Sequence, residues 1–342
     1  GYTPFLDSLM QQSLSFKGFA NGEKSMDAIP SILSGIPSMM NRSYLVSSYV
    51  GNNVESLASK LKENGYATAF YHGGTNGTMG FESYSKVAGF DNYYGRTEYK
   101  NEDDFDGDWG IFDGPFLQYM ASTLNETPQP FFATVFTLSS HHPYVLPDGF
   151  ENRFPKGTLD IHETVAYADD ALREFFKTAS MMPWFNNTLF VITSDHTFPP
   201  YFDEYKTAWG RYSVPIVFYS PEDTLKSNKE ITVQHIDILP SILDYVNYNG
   251  KYFSYGSSVF DDTEIHFAVS YLPTTYQLIK GDYLYKFDGV KDLALYNFRK
   301  DPMLMENLLE KEDSILNEMS NITKAVIQQY NNRMIHNCIS FK

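Results

Sequence analysis

The chain has 342 residues, of which 42% are hydrophobic and 16% aromatic, so global disorder is excluded and one large or two small domains are expected. Its 26 basic and 42 acidic residues give a formal charge of −16, which argues against a nucleic-acid partner because such a chain repels polyphosphates. The lone cysteine, Cys338, excludes an intrachain disulfide and a cysteine-based zinc site.

Strand patterns alternate with helix patterns through the first two thirds of the chain. Helices are predicted from residue 3, over 53–64 and over 163–179, and apolar strands over 67–72, 130–138, 187–193 and 214–219. This alternation predicts an α/β fold with a mainly parallel central sheet and helices on both faces.

The pattern changes after about residue 249. Short strands are predicted over 267–272, 276–280, 283–287 and 293–298, followed by a helix over 314–332. We therefore expect a catalytic α/β domain over 1–250 and a small antiparallel C-terminal subdomain over 251–342. The polar, acidic, glycine-rich stretch 97–114 is long for a loop, which favours a functional loop or a lid.

The Asp195-His196 pair directly follows an apolar strand. Ligands of parallel sheets bind at the carboxyl ends of strands, and a carboxylate beside an imidazole suits one divalent cation. A polar strand end with a capping aspartate is the alternative interpretation.

Ser25 lies where a small polar loop runs into an apolar helix. The amides and dipole of a helix N-terminus favour an anion there, and a metal-bound hydroxyl can attack phosphorus. The alternative is that Ser25 only caps the helix. His141 lies in a polar segment after another predicted strand, where it would contact a phosphate oxygen or protonate a leaving group, unless it is simply solvated.

Several motifs, in this order and spacing, resemble the alkaline phosphatase and sulfatase superfamily, and within it the lipoteichoic acid synthase and phosphoglycerol transferase branch. They are TPFLDSL, EKSMDAIPSILSG, TLSSHHPY, ITSDH, QHIDILPSILDY and LALYNFRKDPMLMENL. The resemblance covers most of the chain. It implies a one-metal enzyme that handles a phosphodiester head group through a covalent phospho-enzyme.

The resemblance also assigns roles to individual residues. Ser25, after Lys24, occupies the place of the family's threonine nucleophile, and Asp195 with His196 that of its metal ligands. His141 matches the histidine that contacts the phosphoglycerol group, and His72, in YHGG, matches a further pocket histidine. The implied cofactor is one divalent metal, Mn²⁺ by preference, with Mg²⁺ or Zn²⁺ as alternatives.

Two features depart from the family pattern. The family takes another acidic metal ligand from a strand upstream of TPFL, a position that precedes this chain, which opens without Met and is expected to be part of a longer protein. The synthases also carry a Trp and an Arg shortly after the YHGG-like motif. Residues 75–82 contain neither, so the head-group specificity is expected to differ.

Three other enzymes of this fold and one non-catalytic function remain as alternatives. A sulfatase needs Pro two residues and Arg four residues after its nucleophile, where this chain has Asp27 and Ile29. A two-metal phosphatase needs a further Asp/His set, and a phosphoethanolamine transferase usually carries several disulfides. The fourth alternative is a binding or sensor module on a degenerate scaffold.

The favoured interpretation is a metal-dependent phosphoglycerol transferase that uses Ser25 as nucleophile. Its expected partners are an anionic lipid head group or phosphoglycerol substrate and, through an upstream segment, a membrane. No apolar run long enough to span a bilayer occurs in the chain itself. The resemblance implies an extracytoplasmic domain of a membrane-anchored protein in a bacterial cell envelope.

Overall fold

The computed structural model describes residues 1–225, 230–261 and 263–341. Its strands, in chain order, are β1 (Leu14–Phe19), β2 (Ala67–His72), β3 (Asn92–Tyr94), β4 (Phe131–Phe136), β5 (Phe190–Thr193), β6 (Ser213–Tyr219), β7 (Ala268–Leu272), β8 (Thr275–Lys280), β9 (Tyr283–Phe287) and β10 (Asp292–Asn297). Its helices are α1 (Pro4–Met10), α2 (Ser25–Ser34), α3 (Leu57–Glu63), α4 (Phe81–Val87), α5 (Arg96–Tyr99), α6 (Asp113–Glu126), α7 (Ile161–Ala179), α8 (Ile238–Tyr245) and α9 (Asp313–Ile335).

These strands form three sheets. One has the order β3-β2-β4 with both pairings parallel, and a second has the order β1-β6-β5. The third, β10-β9-β8-β7, is antiparallel between each pair of neighbours. The predicted α/β fold with a parallel sheet and a C-terminal antiparallel meander is thereby confirmed.

The chain divides into two compact units. Unit 1 comprises Gly1–Leu14, Leu61–Val191 and Val217–Lys226, and unit 2 comprises Ser15–Lys60, Ile192–Ile216 and Ser227–Lys342. This division differs from the predicted boundary near residue 250 between a catalytic domain and a C-terminal subdomain. That boundary stays a prediction.

Each unit buries its own apolar side chains. In unit 1, Phe70 of β2 is fully buried and contacts the rings of Phe81 and Phe90. In unit 2, Leu278 and Leu284 are fully buried in the antiparallel sheet. This burial fixes strand register, because a one-residue slip would turn every apolar side chain to the opposite face.

Most predicted elements form within a few residues of their expected bounds. Strand β2 has the predicted bounds, whereas α3 begins at Leu57, four residues after the predicted start. The reason is local: the Ser56 hydroxyl accepts a hydrogen bond from the amide of Ser59 at 3.1 Å, which caps the helix there. Among the described residues, no helix combines the length and the apolar character that crossing a membrane requires.

Candidate active site

The predicted nucleophile opens helix α2. Lys24 is the N-cap in extended conformation, and Ser25 is the first helical residue. The amides of a first helical turn lack intrahelical acceptors, and the positive end of the helix dipole lies there. Ser25 is therefore not the capping residue, which removes the structural explanation that competed with a catalytic one.

The loop before Ser25 is tight. A Cβ on Gly22 would lie 2.3 Å from Cβ of Asp27, a distance that no side chain tolerates. Asp27 is buried and accepts a hydrogen bond from the Ser38 hydroxyl at 3.1 Å. Only glycine fits at position 22, and the loop can therefore approach Asp27 this closely just before Ser25.

Ser25 and Asp195 meet directly. Oγ of Ser25 donates a hydrogen bond to Oδ2 of Asp195 at 2.5 Å. Asp195 follows strand β5, as the sequence predicts, and its side chain is 28% exposed. The hydroxyl proton thus points at a carboxylate that can accept it, in a place that solvent and small ligands reach.

His196 is oriented by its own loop. Nδ1 lies 2.8 Å from the carbonyl oxygen of Thr197, and because a carbonyl only accepts, Nδ1 carries the proton in this arrangement. The lone pair of Nε2 is then free, and Nε2 lies 3.4 Å from Oδ2 of Asp195. A hydrogen bond from the far ring nitrogen to a backbone carbonyl is the support that metal-binding histidines usually have.

These three residues fit a divalent metal by chemistry and by tautomer. Metal bonds of about 2.0–2.3 Å place neighbouring ligands roughly 3.3–3.7 Å apart, which matches the separation of the carboxylate oxygen and Nε2. The 2.5 Å between Oδ2 and Oγ of Ser25 is a hydrogen-bond distance, so Oγ would have to move away from Oδ2 to bind the same metal. Over the described ranges, no three His, Cys, Asp or Glu side chains are grouped to hold a metal. The candidate ligand set therefore consists of the Asp195 carboxylate, the His196 imidazole and the Ser25 hydroxyl.

A buried histidine that the sequence patterns did not single out lies beside this group. The side chain of His235 is fully buried, and its Nε2 hydrogen-bonds to the carbonyl oxygen of Ser194 at 2.9 Å. Burial lowers the pKa of His235 to about 4, so the ring is neutral near pH 7. The only sequence signal was its place in QHIDILPSILDY, which supported the resemblance without indicating a role.

His72 lies in unit 1 at the end of β2. It is fully buried among aromatic rings, with Phe81 and Phe136 at centroid distances of 5.1 and 5.7 Å. Nδ1 lies 3.0 Å from the Tyr93 hydroxyl, and Nε2 has no hydrogen-bond partner among the described residues. Burial lowers the pKa of His72 to about 4, so His72 is neutral near pH 7.

His141, also in unit 1, is exposed and is oriented by the predicted acidic loop. The indole of Trp109 contacts its ring at a centroid distance of 4.0 Å. The carbonyl oxygen of His142 accepts hydrogen bonds from Nε1 of Trp109 at 2.6 Å and from Nδ1 of His141 at 2.8 Å. This leaves Nε2 of His141 as the free ring nitrogen.

The loop that carries Trp109 is held by a carboxylate. Oδ1 of Asp106 accepts hydrogen bonds from the amides of Asp108, Trp109 and Gly110 at 2.8 to 3.0 Å. The functional loop predicted over 97–114 thus has a definite conformation here, and its role as a lid stays a prediction.

Buried Asp113 fixes the start of the His141 loop. Its carboxylate accepts hydrogen bonds from the amides of Leu138 and Ser139 at 2.7 and 3.2 Å. Full burial raises the pKa of Asp113 to about 6, despite these hydrogen bonds, which lower it.

The structure therefore brings together Ser25, Asp195 and His196, all in unit 2. His72 and His141 lie in unit 1 with partners of their own. The substrate-binding roles of these two histidines stay predictions.

Known proteins resemble this chain in sequence and in fold. A family model described as Sulfatase matches residues 1–248. Phosphoglycerol transferase I of Citrobacter koseri is 28% identical over 215 residues, which are 57% of this chain and 28% of that protein. Lipoteichoic acid synthase 2 of Bacillus subtilis is 25% identical over 151 residues, 42% of this chain and 23% of that protein.

A solved structure shares the fold over the whole chain. It is a protein in the alkaline phosphatase superfamily from Vibrio parahaemolyticus, with a TM-score of 0.86 and 24% identity, covering 100% of this chain and 83% of that one. The aligned regions amount to about a quarter to a third of the length of the first curated relatives.

Proposed function

Since the chain belongs to the sulfatase family, we propose that it transfers a phosphoglycerol-type head group from a phosphodiester, with Ser25 as the covalent nucleophile. The observation that carries the proposal is the 2.5 Å hydrogen bond from the Ser25 hydroxyl to Asp195, next to the free Nε2 of His196. A serine that only capped a helix would direct its oxygen to helix amides instead.

The reaction has two steps. In the first, Oγ of Ser25 gives up its proton and attacks phosphorus, and the bond between phosphorus and the leaving alcohol oxygen breaks. The leaving oxygen takes up a proton, and the head group stays on Ser25 as a phosphodiester. In the second step, an acceptor hydroxyl attacks that phosphorus, loses its proton, and releases Ser25, which is protonated again.

Asp195 and His196 assist the first step because they lie beside the Ser25 hydroxyl, Asp195 as its hydrogen-bond acceptor and His196 as a possible metal ligand. In the structure the Asp195 carboxylate accepts a hydrogen bond from the Ser25 hydroxyl, and the Thr197 carbonyl keeps His196 in the tautomer with a free Nε2. A divalent metal bound by Ser25, Asp195 and His196 would lower the pKa of the hydroxyl and offset charge on the phosphoryl oxygens. Because the net charge of −16 repels an anionic substrate, such local positive charge matters.

The substrate class is a phosphodiester that carries a phosphoglycerol group, either as an anionic lipid head group or in a soluble compound. It is supported by the sequence resemblance and by relatives named lipoteichoic acid synthase and phosphoglycerol transferase. Within this proposal His141 binds the head group through Nε2, and His72 also has a substrate-binding role, as a neutral ring. The proposal also includes attachment to a membrane through an upstream segment and a location in the bacterial cell envelope.

A paired substrate assay tests the proposal. With Mn²⁺ present, the protein should release diacylglycerol from phosphatidylglycerol micelles and leave p-nitrophenyl sulfate intact. Release of glycerol phosphate to water, with no transfer to an added acceptor alcohol, would indicate a hydrolase of the same fold. Sulfate release without diacylglycerol release would overturn the proposal in favour of a sulfatase.

A further inference from the structure

A short turn in unit 2 connects both halves of the candidate active site. It consists of Gln234 and one turn of 3₁₀ helix, His235–Asp237, which leads into α8. Gln234 is 1% exposed and His235 is 0% exposed. Polar side chains buried to this degree need hydrogen-bond partners, and their partners reveal what the turn holds.

One set of partners leads to the nucleophile. Nδ2 of Asn21 donates to Oε1 of Gln234 at 2.7 Å, and Oδ1 of Asn21 accepts from the amide of Ile236 at 3.0 Å. Asn21 is itself fully buried and lies at the start of the loop that ends at Ser25. The turn therefore fixes the backbone from which that loop departs.

The other partner leads to the metal-ligand pair. Nε2 of His235 donates to the carbonyl oxygen of Ser194, which directly precedes Asp195. Nδ1 of His235 is buried without a partner among the described residues. An unsatisfied buried nitrogen is costly, and a leucine would fill the same space without that cost. What the histidine offers over an apolar side chain is hydrogen bonding to the end of β5, through the donor to Ser194 and a longer 3.4 Å contact with the Thr193 hydroxyl.

We propose that His235 is a positioning residue, which together with Gln234 sets the approach of Ser25 to the Asp195 carboxylate. The inference rests on the proposed function for its catalytic meaning, but its geometric content, the fixed relation between the Asp195-His196 loop and the loop of Ser25, does not depend on that function. Loss of the His235 donor leaves the Ser194 carbonyl with the 3.2 Å hydrogen bond from the adjacent Thr193 hydroxyl, which does not tie the ligand loop to the turn. The ligand loop then loses its fixed relation to the loop of Ser25.

The experiment compares His235→Leu, which keeps the volume and removes the donor, with His235→Gln, which keeps a donor. Mn²⁺ binding is measured on the metal-free protein by electron paramagnetic resonance, and kcat and KM are measured with phosphatidylglycerol. We expect His235→Leu to bind Mn²⁺ about tenfold more weakly and to lose at least about tenfold in kcat, with KM changed little. His235→Gln should recover most of both losses.

His266 provides a matched control in the same unit. Its Nε2 also hydrogen-bonds to a backbone carbonyl, that of Asp261 at 3.1 Å, and its Nδ1 is also buried without a partner among the described residues. His266→Leu should leave Mn²⁺ affinity and kcat unchanged. If His235→Leu does not fold, His235→Met, which also lacks a donor, takes its place in the comparison.

Four results would overturn the proposal. They are wild-type Mn²⁺ affinity in a folded His235→Leu, equal losses in His235→Leu and His266→Leu, no recovery in His235→Gln, and failure of both donor-deficient variants to fold. If the wild type bound Mn²⁺ but turned over no phosphodiester, the proposed function would fail while the Mn²⁺ comparison still decided the role of His235.

Discussion

The hydroxyl of Ser25 donates a hydrogen bond to the Asp195 carboxylate, although the two residues are 170 positions apart in the chain. Local structure positions each residue: Ser25 lies in the first turn of α2, and Asp195 follows the end of β5. Two independent backbone constraints thus place a potential nucleophile against a potential proton acceptor. That convergence gives the first two predictions below.

Replacing Ser25 with alanine should abolish turnover and leave the fold intact. The hydroxyl is the proposed nucleophile and contributes little to a core, so kcat should fall by at least about a thousandfold. Turnover is measured as diacylglycerol release, and folding as the urea midpoint. Mass spectrometry of quenched wild-type protein should also find a phosphoglycerol adduct on the peptide that contains Ser25.

Two variants serve as controls for Ser25. Ser25→Thr installs the residue that the resembling family uses, so it should keep measurable activity. Ser180→Ala removes an exposed hydroxyl that donates a hydrogen bond to the Lys177 carbonyl at 2.8 Å, and it should behave as wild type. Retained turnover in Ser25→Ala would rule out a covalent mechanism at this residue.

The sequence predicted the site as far as local rules extend. Glycine before a helix and polar residues after an apolar strand are local signals, and they are enough to identify Ser25, Asp195 and His196 as candidates. The part that it missed depends on contacts between distant segments. Neither Asn21 nor His235 has a local pattern that separates it from an ordinary loop residue, and only the fold places them against Gln234 and Ser194.

The same distinction holds for the fold. Short apolar segments bounded by turns predicted β2 and the meander closely, because the residue types that favour a buried strand lie within each strand itself. The arrangement of the strands in two separate three-stranded sheets could not be predicted in that way. Strand order depends on which apolar faces pack together, and many orders satisfy the same alternation.

Replacing Asp195 with alanine should weaken Mn²⁺ binding by at least about tenfold. The change removes a proposed ligand and also the acceptor for the Ser25 hydroxyl. Binding is measured on the metal-free protein by electron paramagnetic resonance. Asp203→Ala, which removes an exposed carboxylate paired with Lys206, is the control and should bind as wild type does. Equal affinities for all three proteins would place the metal elsewhere.

Replacing His141 with alanine should raise KM for the phosphoglycerol substrate by about tenfold, as expected for a lost hydrogen bond to a charged group. Glycerol phosphate inhibition, titrated at several pH values, should weaken in parallel. Because burial lowers the pKa of His72 to about 4, His72 supplies no positive charge above about pH 5. His336→Ala, on an exposed residue after α9, is the control. Equal KM for wild type and His141→Ala would leave His141 as a loop residue only.

The ring contact between Trp109 and His141 refines this prediction. Trp109→Phe keeps an aromatic face beside the imidazole but removes the indole donor to the His142 carbonyl. We expect a KM between those of wild type and His141→Ala, because the imidazole loses orientation and keeps its chemistry. A Trp109→Phe variant with a higher KM than His141→Ala would mean that the indole contacts substrate itself.

Asp113 predicts a pH dependence of stability with a definite sign. Full burial raises its pKa from the ordinary value of 3.8 to about 6, so between these values the folded state binds more protons than the unfolded state. This carboxyl therefore lowers the free energy of unfolding as the pH rises from about 4 to 6, with no further change above.

Asp113→Asn should remove that contribution while keeping an oxygen acceptor for the amides of Leu138 and Ser139. Relative to wild type, the variant should gain roughly 3 kcal/mol in the free energy of unfolding between pH 4 and pH 7, measured by urea titration. Asp103→Asn, on an exposed carboxylate, should follow the wild-type profile. A constant difference between Asp113→Asn and wild type across this range would show that Asp113 titrates alike in both states, and that its hydrogen bonds to the His141 loop fully offset the effect of burial.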